Sequence, residues 1–570
     1  MSARRRRLAI IGGGSSGLIT LKNALDRLKD WDVVCFEKSD RIIGCWGSPY
    51  PGFVSTSTKY TTQFACFPEF AADVVLDAGR SRSEFFREGE YGRYLERFAE
   101  QFSLRSHIVL QCQVESLTKA SAGGWELQVK RNGDGKTEVA TKHFDCVVLC
   151  TGLAAEPKDI AAKVPRLSAA ELNDSAGLNH IHDKRIVVVG GGESAVDYAN
   201  RLARTELRNE VFLSLYSGVR VSPRYHPIRG VPSDFLRNRL MLSIHPDLRN
   251  WIGQRFVVAR ILYQEMFECF FPKRGPQAAT GSDERNEIQG KQPGENLAEE
   301  NLAGENLAGQ RSKEWAHRLT KAAKDDLFNM FHNKSDDFLL AVGAGRIKIV
   351  GPAVDDDFAV MSEFDGAGTI DVAPDLIVPA VGYRPQLDQL SAGLVKLSDF
   401  FLGCVHTQFD DLFLVGFARP IIGNIPTISE LQAQFVTGLI SGEFERDPKF
   451  EQFHRKDMEA RRRRYQKLNV DAVYPVEMFP YCDRLADLMK TRPTLWKLGS
   501  IAQWIRMQIA PASTLHYQYK NSKTRRVYQA APIYMPTLLI LLLLMLKPCS
   551  WFYTACCAII GLASARRKQN

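Results

Sequence analysis

Along this chain the apolar positions fall into short runs closed by glycine, the pattern of strands that lead into tight turns. Leu8–Ile11 is one such run. It ends at Gly12, Gly14 and Gly17, a helix-like stretch Leu18–Leu28 follows, and a second run, Val33–Phe36, stops at Glu37. The order is strand, tight turn, helix, strand, acid. It returns when Ile186–Val189 leads into Gly190, Gly192 and Ala195 and then into the helix-like "ESAVDYANRLA". Elsewhere "EYGRYLERFAEQFSL" reads as an amphipathic helix, "FDCVVLCTGL" as a strand closing on Thr151 and Gly152, and "PDLIVPAVGYRPQL" as a strand closing on a Gly-Tyr turn. "DDLFLVGFARPIIGNIPTISELQAQF" reads as a strand, a glycine loop that starts at Gly416 and a helix start. Two turns of this kind predict an α/β fold with two Rossmann-like dinucleotide-binding domains.

Each position in the turns has a physical task. Gly12 permits the bend, Gly14 lets a pyrophosphate approach the backbone, and Gly17 lets helix pack on strand. The helix N-terminus that includes Gly13, Ser15 and Ser16 offers N–H groups and a positive dipole end, while Glu37, 20 residues past Gly17, can bond the ribose hydroxyls. In the second turn Ala195, beside Ser194, serves where only a small residue is needed. Two separate sites suggest a flavin that stays bound and a nicotinamide that delivers hydride to it.

Composition narrows the class. The 570 residues are 45% hydrophobic and 24% charged, as for a globular chain of two or three domains. The net charge of +9 is concentrated at Arg4–Arg7, at Arg461–Arg464 and around the C-terminal apolar region, with no basic stripe interleaved with aromatics, so no nucleic-acid role is expected. The 12 cysteines form no CxxC, the 11 histidines no metal spacing, and no metal is expected; a reduced, cytosol-facing setting follows. No secretory signal precedes the first strand. From Ala530 to Leu546 the chain is almost wholly apolar, Lys547-Pro548 interrupts, and Cys549–Ala565 is apolar again. Each half is near the lower limit for spanning a bilayer. The flanking Lys520, Lys523, Arg525, Arg526 and Arg566, Arg567, Lys568 fit a hairpin that enters and leaves on the cytosolic side, with a single tilted span as the competing geometry. The acidic repeat "GENLAEENLAGENLA" at 294–308 is expected to be a solvated loop or disordered insertion.

Taken together the motifs resemble the flavin-containing monooxygenases, the membrane-anchored animal type in particular, from residue 8 to about 535. Gly44, Cys45 and Trp46 stand where that family has GG-x-W; "STSTK", with Thr56 and Ser57, follows; "CTG" at 150–152, "AVGY" for A-T-G-Y, "ELQAQF" for E-L-Q-A-R-W and "APASTLHYQYK" for G-P-x-x-x-x-Y-Q-Y-R complete the match. The resemblance implies FAD and NADPH as cofactors. It also implies an FAD domain in two pieces, 1–155 and 331–445, an NADP domain 156–330 inserted between them, a helical region 446–530 and a membrane anchor 531–565. Gly416 would lie near the flavin pyrophosphate. NADPH would reduce FAD, O2 would add at the flavin C4a, and the hydroperoxide, shielded by retained NADP+, would pass its distal oxygen to a soft nitrogen or sulfur nucleophile of a small molecule. Such chemistry needs water excluded rather than an acid–base pair. An endoplasmic reticulum membrane location with cytosolic catalytic domains is implied as well; oligomeric state stays open.

Three departures bear on function. The family's Asn at the flavin peroxide region maps onto Thr56, a shorter hydroxyl donor. The arginine expected to read the NADP 2′-phosphate maps onto Tyr216, leaving Arg220 and Arg224 nearby, of which Arg224 is the candidate cofactor contact and NADH use stays open. The F-x-G-x-x-x-H fingerprint is absent, where the chain has "VPRLSAAELNDSAGLNH". The alternatives are an FAD-dependent NAD(P)H oxidase or reductase with no stable hydroperoxide, and a non-catalytic membrane-bound flavoprotein. Against the latter stand the intact glycines, which a protein without a nucleotide has no need of.

Overall fold

The computed structural model describes residues 4–46, 52–75, 82–133, 136–168, 171–172, 180–226, 230–262, 295–323, 332–363, 366, 368–466 and 468–567. Most of "VPRLSAAELNDSAGLNH" lies outside them.

The first strand, β1 (Arg6–Ile11), leads through the glycine turn into α1 (Ser15–Arg27) and then β2 (Trp31–Phe36), which pairs with β1 in parallel. β1 sits inside a seven-stranded sheet of order Phe400–Phe401, Val405–His406, Leu412–Leu414, Cys146–Leu149, β1, β2, Ile108–Val109. Both faces of the middle strands are covered, so Leu8, Ala9, Ile10, Val147 and Val148 are fully buried. That double burial is why these strands read as continuous apolar runs. The "DLFLVGF" strand returns to this sheet as expected, beside Cys146–Leu149. Outside the sheet, β3 (Val54–Thr58) pairs antiparallel with Phe85–Arg87 through an irregular register.

A second, four-stranded parallel sheet has the order Ile347–Val350, Glu210–Ser214, Arg185–Val189, Leu376–Pro379. We label Arg185–Val189 β4, the following helix Glu193–Leu202 α2, and Glu210–Ser214 β5. This corrects the expected boundary at 330/331. Ile347–Val350 and Leu376–Pro379 complete the second sheet, so the insert runs on until Tyr383–Arg384 pairs with Glu156–Pro157, where the chain crosses twice between the domains. A β-branched run buried on both faces carries no mark of which parallel sheet it joins.

The insert also holds α3 (Arg239–Leu242), α4 (Pro246–Leu262) and α5 (Glu295–Lys321). The acidic repeat, expected as a loop or disordered insertion over 294–308, is therefore helical from Glu295. Ala, Glu and Leu are strong helix formers, and their local preference prevails over the absence of a helical apolar period. The helix also packs closely on Phe338–Gly343, since a Cβ on Gly343 would come 2.4 Å from the Ala308 carbonyl oxygen. After residue 446 the chain is mainly helical, as expected, and includes α6 (Ile501–Ile509) and α7 (Thr537–Arg567). α7 runs unbroken through Lys547-Pro548, so the expected hairpin does not form: Pro548 removes one backbone hydrogen bond, and the apolar residues on both sides carry the helix across it. Thr537–Cys557, of mean hydropathy 1.7, is the one helix among the described residues long and apolar enough to cross a membrane.

Candidate functional site

At the first turn Gly12 and Gly17 are sterically obligatory. Gly12 has φ of +105°, and a Cβ on Gly17 would lie 1.8 Å from the Gly12 carbonyl oxygen, so the helix can approach the strand only without a side chain. Glu37 is buried and accepts the Gly13 N–H at 2.6 Å and the Ser39 N–H at 2.9 Å. The acid at the end of β2 thus fixes the turn itself, and its remaining lone pairs are what it can offer a ribose. No side chain caps the N-terminus of α1 and no acid occupies its first turn, which leaves the N–H groups of Ser15, Ser16 and Gly17 for an anion.

Three distant segments close around that helix end. Gly44, φ +55°, packs so tightly on the turn that its Cβ would be 3.0 Å from the Gly14 Cα. Trp46, two residues on, is half-buried edge-on to Tyr91 at 4.7 Å, whereas Cys45 is exposed. Gly416, φ +92°, abuts Ser16, whose Oγ lies 2.9 Å from Ser429 Oγ; the Gly416 N–H is accepted by Gln432 Oε1 at 3.0 Å. Glu430 accepts the Ala65 and Cys66 N–H groups, so "ELQAQF" acts as a bracket for neighbouring backbone. Thr151 and Gly152 lie at the end of Cys146–Leu149. The Thr151 Oγ1 is buried without a hydrogen-bond partner, and Gly152, φ +78°, faces open space. An unpaired buried hydroxyl beside an uncapped helix end and a side-chain-free turn fits a dinucleotide laid against the backbone.

The second turn repeats the geometry with one difference. Gly190 has φ of +132° and no room for a Cβ beside the Ala380 carbonyl oxygen at 2.3 Å; Gly192 faces open space, Ser194 is half-buried and Ala195 fully buried. The helix end of α2 is likewise uncapped by a side chain, yet its first turn carries Glu193, whose carboxyl is pushed up by the surrounding protein against the opposing charges of Lys334, Arg419 and Arg224. A carboxylate there suits the helix dipole but opposes an incoming phosphate.

Polar contacts join the second turn to β3. Asn333 Nδ2 donates to the Gly191 carbonyl at 2.8 Å. Its neighbour Lys334 forms a buried ion pair with Asp234, and Asp234 accepts the Thr58 N–H at 3.0 Å and the Thr61 hydroxyl at 3.3 Å. Burial pushes the Asp234 carboxyl up, but the Lys334 and Arg237 charges and the N–H donor hold it below the usual carboxylate range. Arg224 is the second clamp. It is 9% exposed and donates from Nε to the Ser55 carbonyl at 3.0 Å and from Nη2 to the Val54 carbonyl at 2.7 Å, with Asp336 beside Nη1 at 3.5 Å. Arg224, expected to read the NADP 2′-phosphate, here has its guanidinium engaged with β3. Tyr216, at the end of β5, is 77% exposed. Thr56 and Ser57, half-buried in the irregular part of β3, are held by these clamps, and Ser55 Oγ donates to the Ser57 carbonyl at 2.6 Å.

The sequence motifs located both turns, Gly44–Trp46, Thr56, Thr151–Gly152 and Gly416. They missed Asp234, Asn333 and Lys334, which sit in no glycine turn and become neighbours only through the fold. Glu193 was visible as an acid at the start of a phosphate-facing helix.

Residues 5–274 match the family described as flavin-binding monooxygenase-like. An N-oxide-forming dimethylaniline monooxygenase 2 of Mus musculus is 26% identical over 462 residues, covering 77% of this chain and 74% of that protein. Flavin-containing monooxygenase 3 of Homo sapiens is 30% identical over 292 residues, covering 45% and 50%. Among solved structures, OTEMO in complex with FAD and NADP aligns at TM-score 0.56 and 15% identity, covering 85% of this chain and 97% of that one. An oxidised steroid monooxygenase bound to NADP aligns at 0.53 and 15%, covering 85% and 98%. These structural likenesses concern the fold.

Proposed function

The chain belongs to the flavin-containing monooxygenase family as a divergent member, and on that premise we propose that it is an FAD- and NADPH-dependent monooxygenase that oxygenates soft nitrogen or sulfur nucleophiles of small molecules. The observation that carries this reading is the polar chain from Gly191 through Asn333, Lys334 and Asp234 to Thr58, which holds the second dinucleotide turn and the Thr56 strand in one frame. The residues that would hold FAD are the backbone of Gly12–Gly17, Ser15 and Ser16 at the helix end, Glu37, Gly44–Trp46, Thr151, Gly152 and Gly416. Those for NADPH are Gly190, Gly192, Ser194 and Ala195.

When bound, FAD would supply the redox chemistry, hydride acceptance and O2 activation, that the side chains themselves lack. The protein's own part is positional. Arg224 and the Lys334–Asp234 pair fix β3, so the Thr56 hydroxyl stays at one place as a hydrogen-bond donor. No proton-transferring pair is required of the side chains. A C-terminal apolar helix attaches the enzyme to a membrane, which we assign to the endoplasmic reticulum with the catalytic domains cytosolic.

The test is stoichiometry. Purified FAD-loaded protein supplied with NADPH, O2 and either N,N-dimethylaniline or a dialkyl thioether is expected to form N-oxide or S-oxide in proportion to NADPH consumed. NADPH consumption matched by H2O2, with neither oxide formed, would refute it. That second outcome is the oxidase reading, and the substitution of Thr for the longer Asn amide at position 56 is what favours it.

A further inference from the structure

A cleft of about 790 Å³ opens at the end of α1 that lies away from the glycine turn, where pieces of chain far apart in sequence meet. α1 contributes Lys22, Asp26 and Arg27 from its second half. The helix Ile425–Ser441 brings Gln434 and, just beyond it, Glu443. The chain after the helix Met478–Leu488 brings Lys490 and Lys497, and the stretch that leads into the helix Ser522–Ala530 brings Gln518 and Lys520. The frame is firm, since Asn23, Tyr517 and Tyr519 in its walls are buried.

Charge in this cleft does not balance. Seven of the lining side chains are charged and only two of those are acids, both already paired by α1. Lys22 Nζ lies 2.7 Å from Asp26 Oδ2, and Arg27 Nε donates to Glu443 Oε2 at 2.9 Å. Lys490, Lys497 and Lys520 remain, and none of them meets a carboxylate among the described residues. Lys497 Nζ donates to the Lys490 carbonyl at 2.7 Å, which brings those two side chains to one rim. Lys490 ends its helix in the left-handed region, φ +56°, where glycine would be the cheaper residue. Gln434 and Gln518 are half-buried, and among the described residues their carboxamides make no hydrogen bond. The helix Ser522–Ala530 starts at the same place, its cap Asn521 in the wall, and adds the positive end of its dipole.

Lysines scattered over a convex surface are each hydrated separately, whereas three that share one concavity focus positive potential into it. The amides beside them supply further donors of fixed position. The volume falls within the roughly 300–1,000 Å³ of organic-ligand sites, and a single inorganic phosphate would leave most of it empty. We propose that the cleft binds an organic polyanion of about nucleotide size, at a site separate from both dinucleotide turns. Lys490, Lys497 and Lys520 meet its charges, and the Gln434 and Gln518 amides meet its remaining acceptors.

The test titrates ATP by calorimetry into the full-length FAD-loaded protein in excess NADP+, which competes for the second turn. One ATP per chain is expected, bound several-fold more weakly when NaCl rises from about 0.05 to about 0.5 M. The Lys490→Gln, Lys520→Gln double variant, both positions being exposed, should keep its FAD and raise Kd roughly tenfold or more, through the loss of two charges at the ligand. A control that removes exposed lysines elsewhere, Lys158→Gln with Lys184→Gln, should leave Kd unchanged. Absence of ATP binding would overturn the proposal, as would binding that NADP+ abolishes, which belongs to the second turn. An unchanged Kd in the first double variant, or an equal rise in the control, would overturn it too, because the three lysines would then form no site.

Discussion

Arg224→Ala tests whether the insert grips β3 or reads the nicotinamide cofactor. The guanidinium is almost enclosed, its side chain 10% exposed and that of Asp336 18%, so solvent screening is slight. It makes two good hydrogen bonds to backbone carbonyls and a longer ionic contact. Hydrogen bonds to charged groups contribute about 1.5–3 kcal/mol each, and removing one partner of a buried pair costs about 3–5 kcal/mol because the other is stranded. We expect alanine to destabilise the protein by about 3–4 kcal/mol, since the two carbonyls of Val54 and Ser55 lose donors inside the protein. At roughly 2–4 °C per kcal/mol for a domain near 200 residues, Tm should fall by about 6–16 °C. Lysine, which keeps the charge but lacks the fork, should recover part of that. The assays are thermal unfolding and steady-state kinetics with NADPH and NADH in parallel. Tm should drop, H2O2 release per NADPH should rise as Thr56 loses its support, and the preference between the two nicotinamides should stay put. An unchanged Tm together with a KM for NADPH raised tenfold or more, and none for NADH, would mean that Arg224 binds the 2′-phosphate after all.

Gly17→Ala should abolish retention of FAD and cost about 1–3 kcal/mol or more, because the methyl group would meet a backbone carbonyl that cannot retreat; flavin absorbance after gel filtration reads it. Glu193→Gln should lower KM for NADPH about fivefold, the equivalent of about 1 kcal/mol of repulsion at a helix N-terminus, with FAD content unaffected; an unchanged KM would show that the carboxylate points away from the phosphates. His516, fully buried and stacked on Phe479, is pulled down to about 3 by burial and then by the Arg239 charge. Its folded pKa is depressed, so the unfolded chain takes up the proton first, and stability present above about pH 6.5 is lost as pH falls toward 3. Tm should decline through that window, and His516→Phe should decline less; equal slopes would exclude this histidine as the source.

Much of the site was legible because dinucleotide turns are local. Gly12, Gly14 and Gly17 fall within six residues, and Gly17 is forced by the Gly12 carbonyl inside the same strand–helix unit, so the spacing alone carries the message. Gly416 was legible for a different reason, through the "DLFLVGF" strand that returns to the first sheet, while Glu430 and Gln432 of "ELQAQF" prove to be brackets for neighbouring backbone. What escaped was whatever depends on which domain a segment joins. The "PDLIVPA" strand is equally apolar in either sheet, so its place beside β4 could not be read from composition. The Asn333, Lys334 and Asp234 cluster joins residues 100 apart in the chain. The contacts of Arg224 with β3 were not legible because an arginine near a nucleotide turn looks the same whether it faces a phosphate or a neighbouring strand. The acidic repeat was misread because its period of five lacks a helical face, though its residues favour helix.

The central claim is that this cleft delays the return of electrons from flavin to oxygen long enough to oxygenate a substrate. The measurement that tests it most directly is to reduce the FAD-loaded protein anaerobically with NADPH, mix it rapidly with oxygenated buffer, and follow the flavin absorbance. The account predicts a third spectrum, neither oxidised nor reduced, that outlasts mixing and decays faster when a tertiary amine or thioether is added. A single-step return to oxidised flavin, with one H2O2 released per flavin and no effect of the nucleophile, would contradict it.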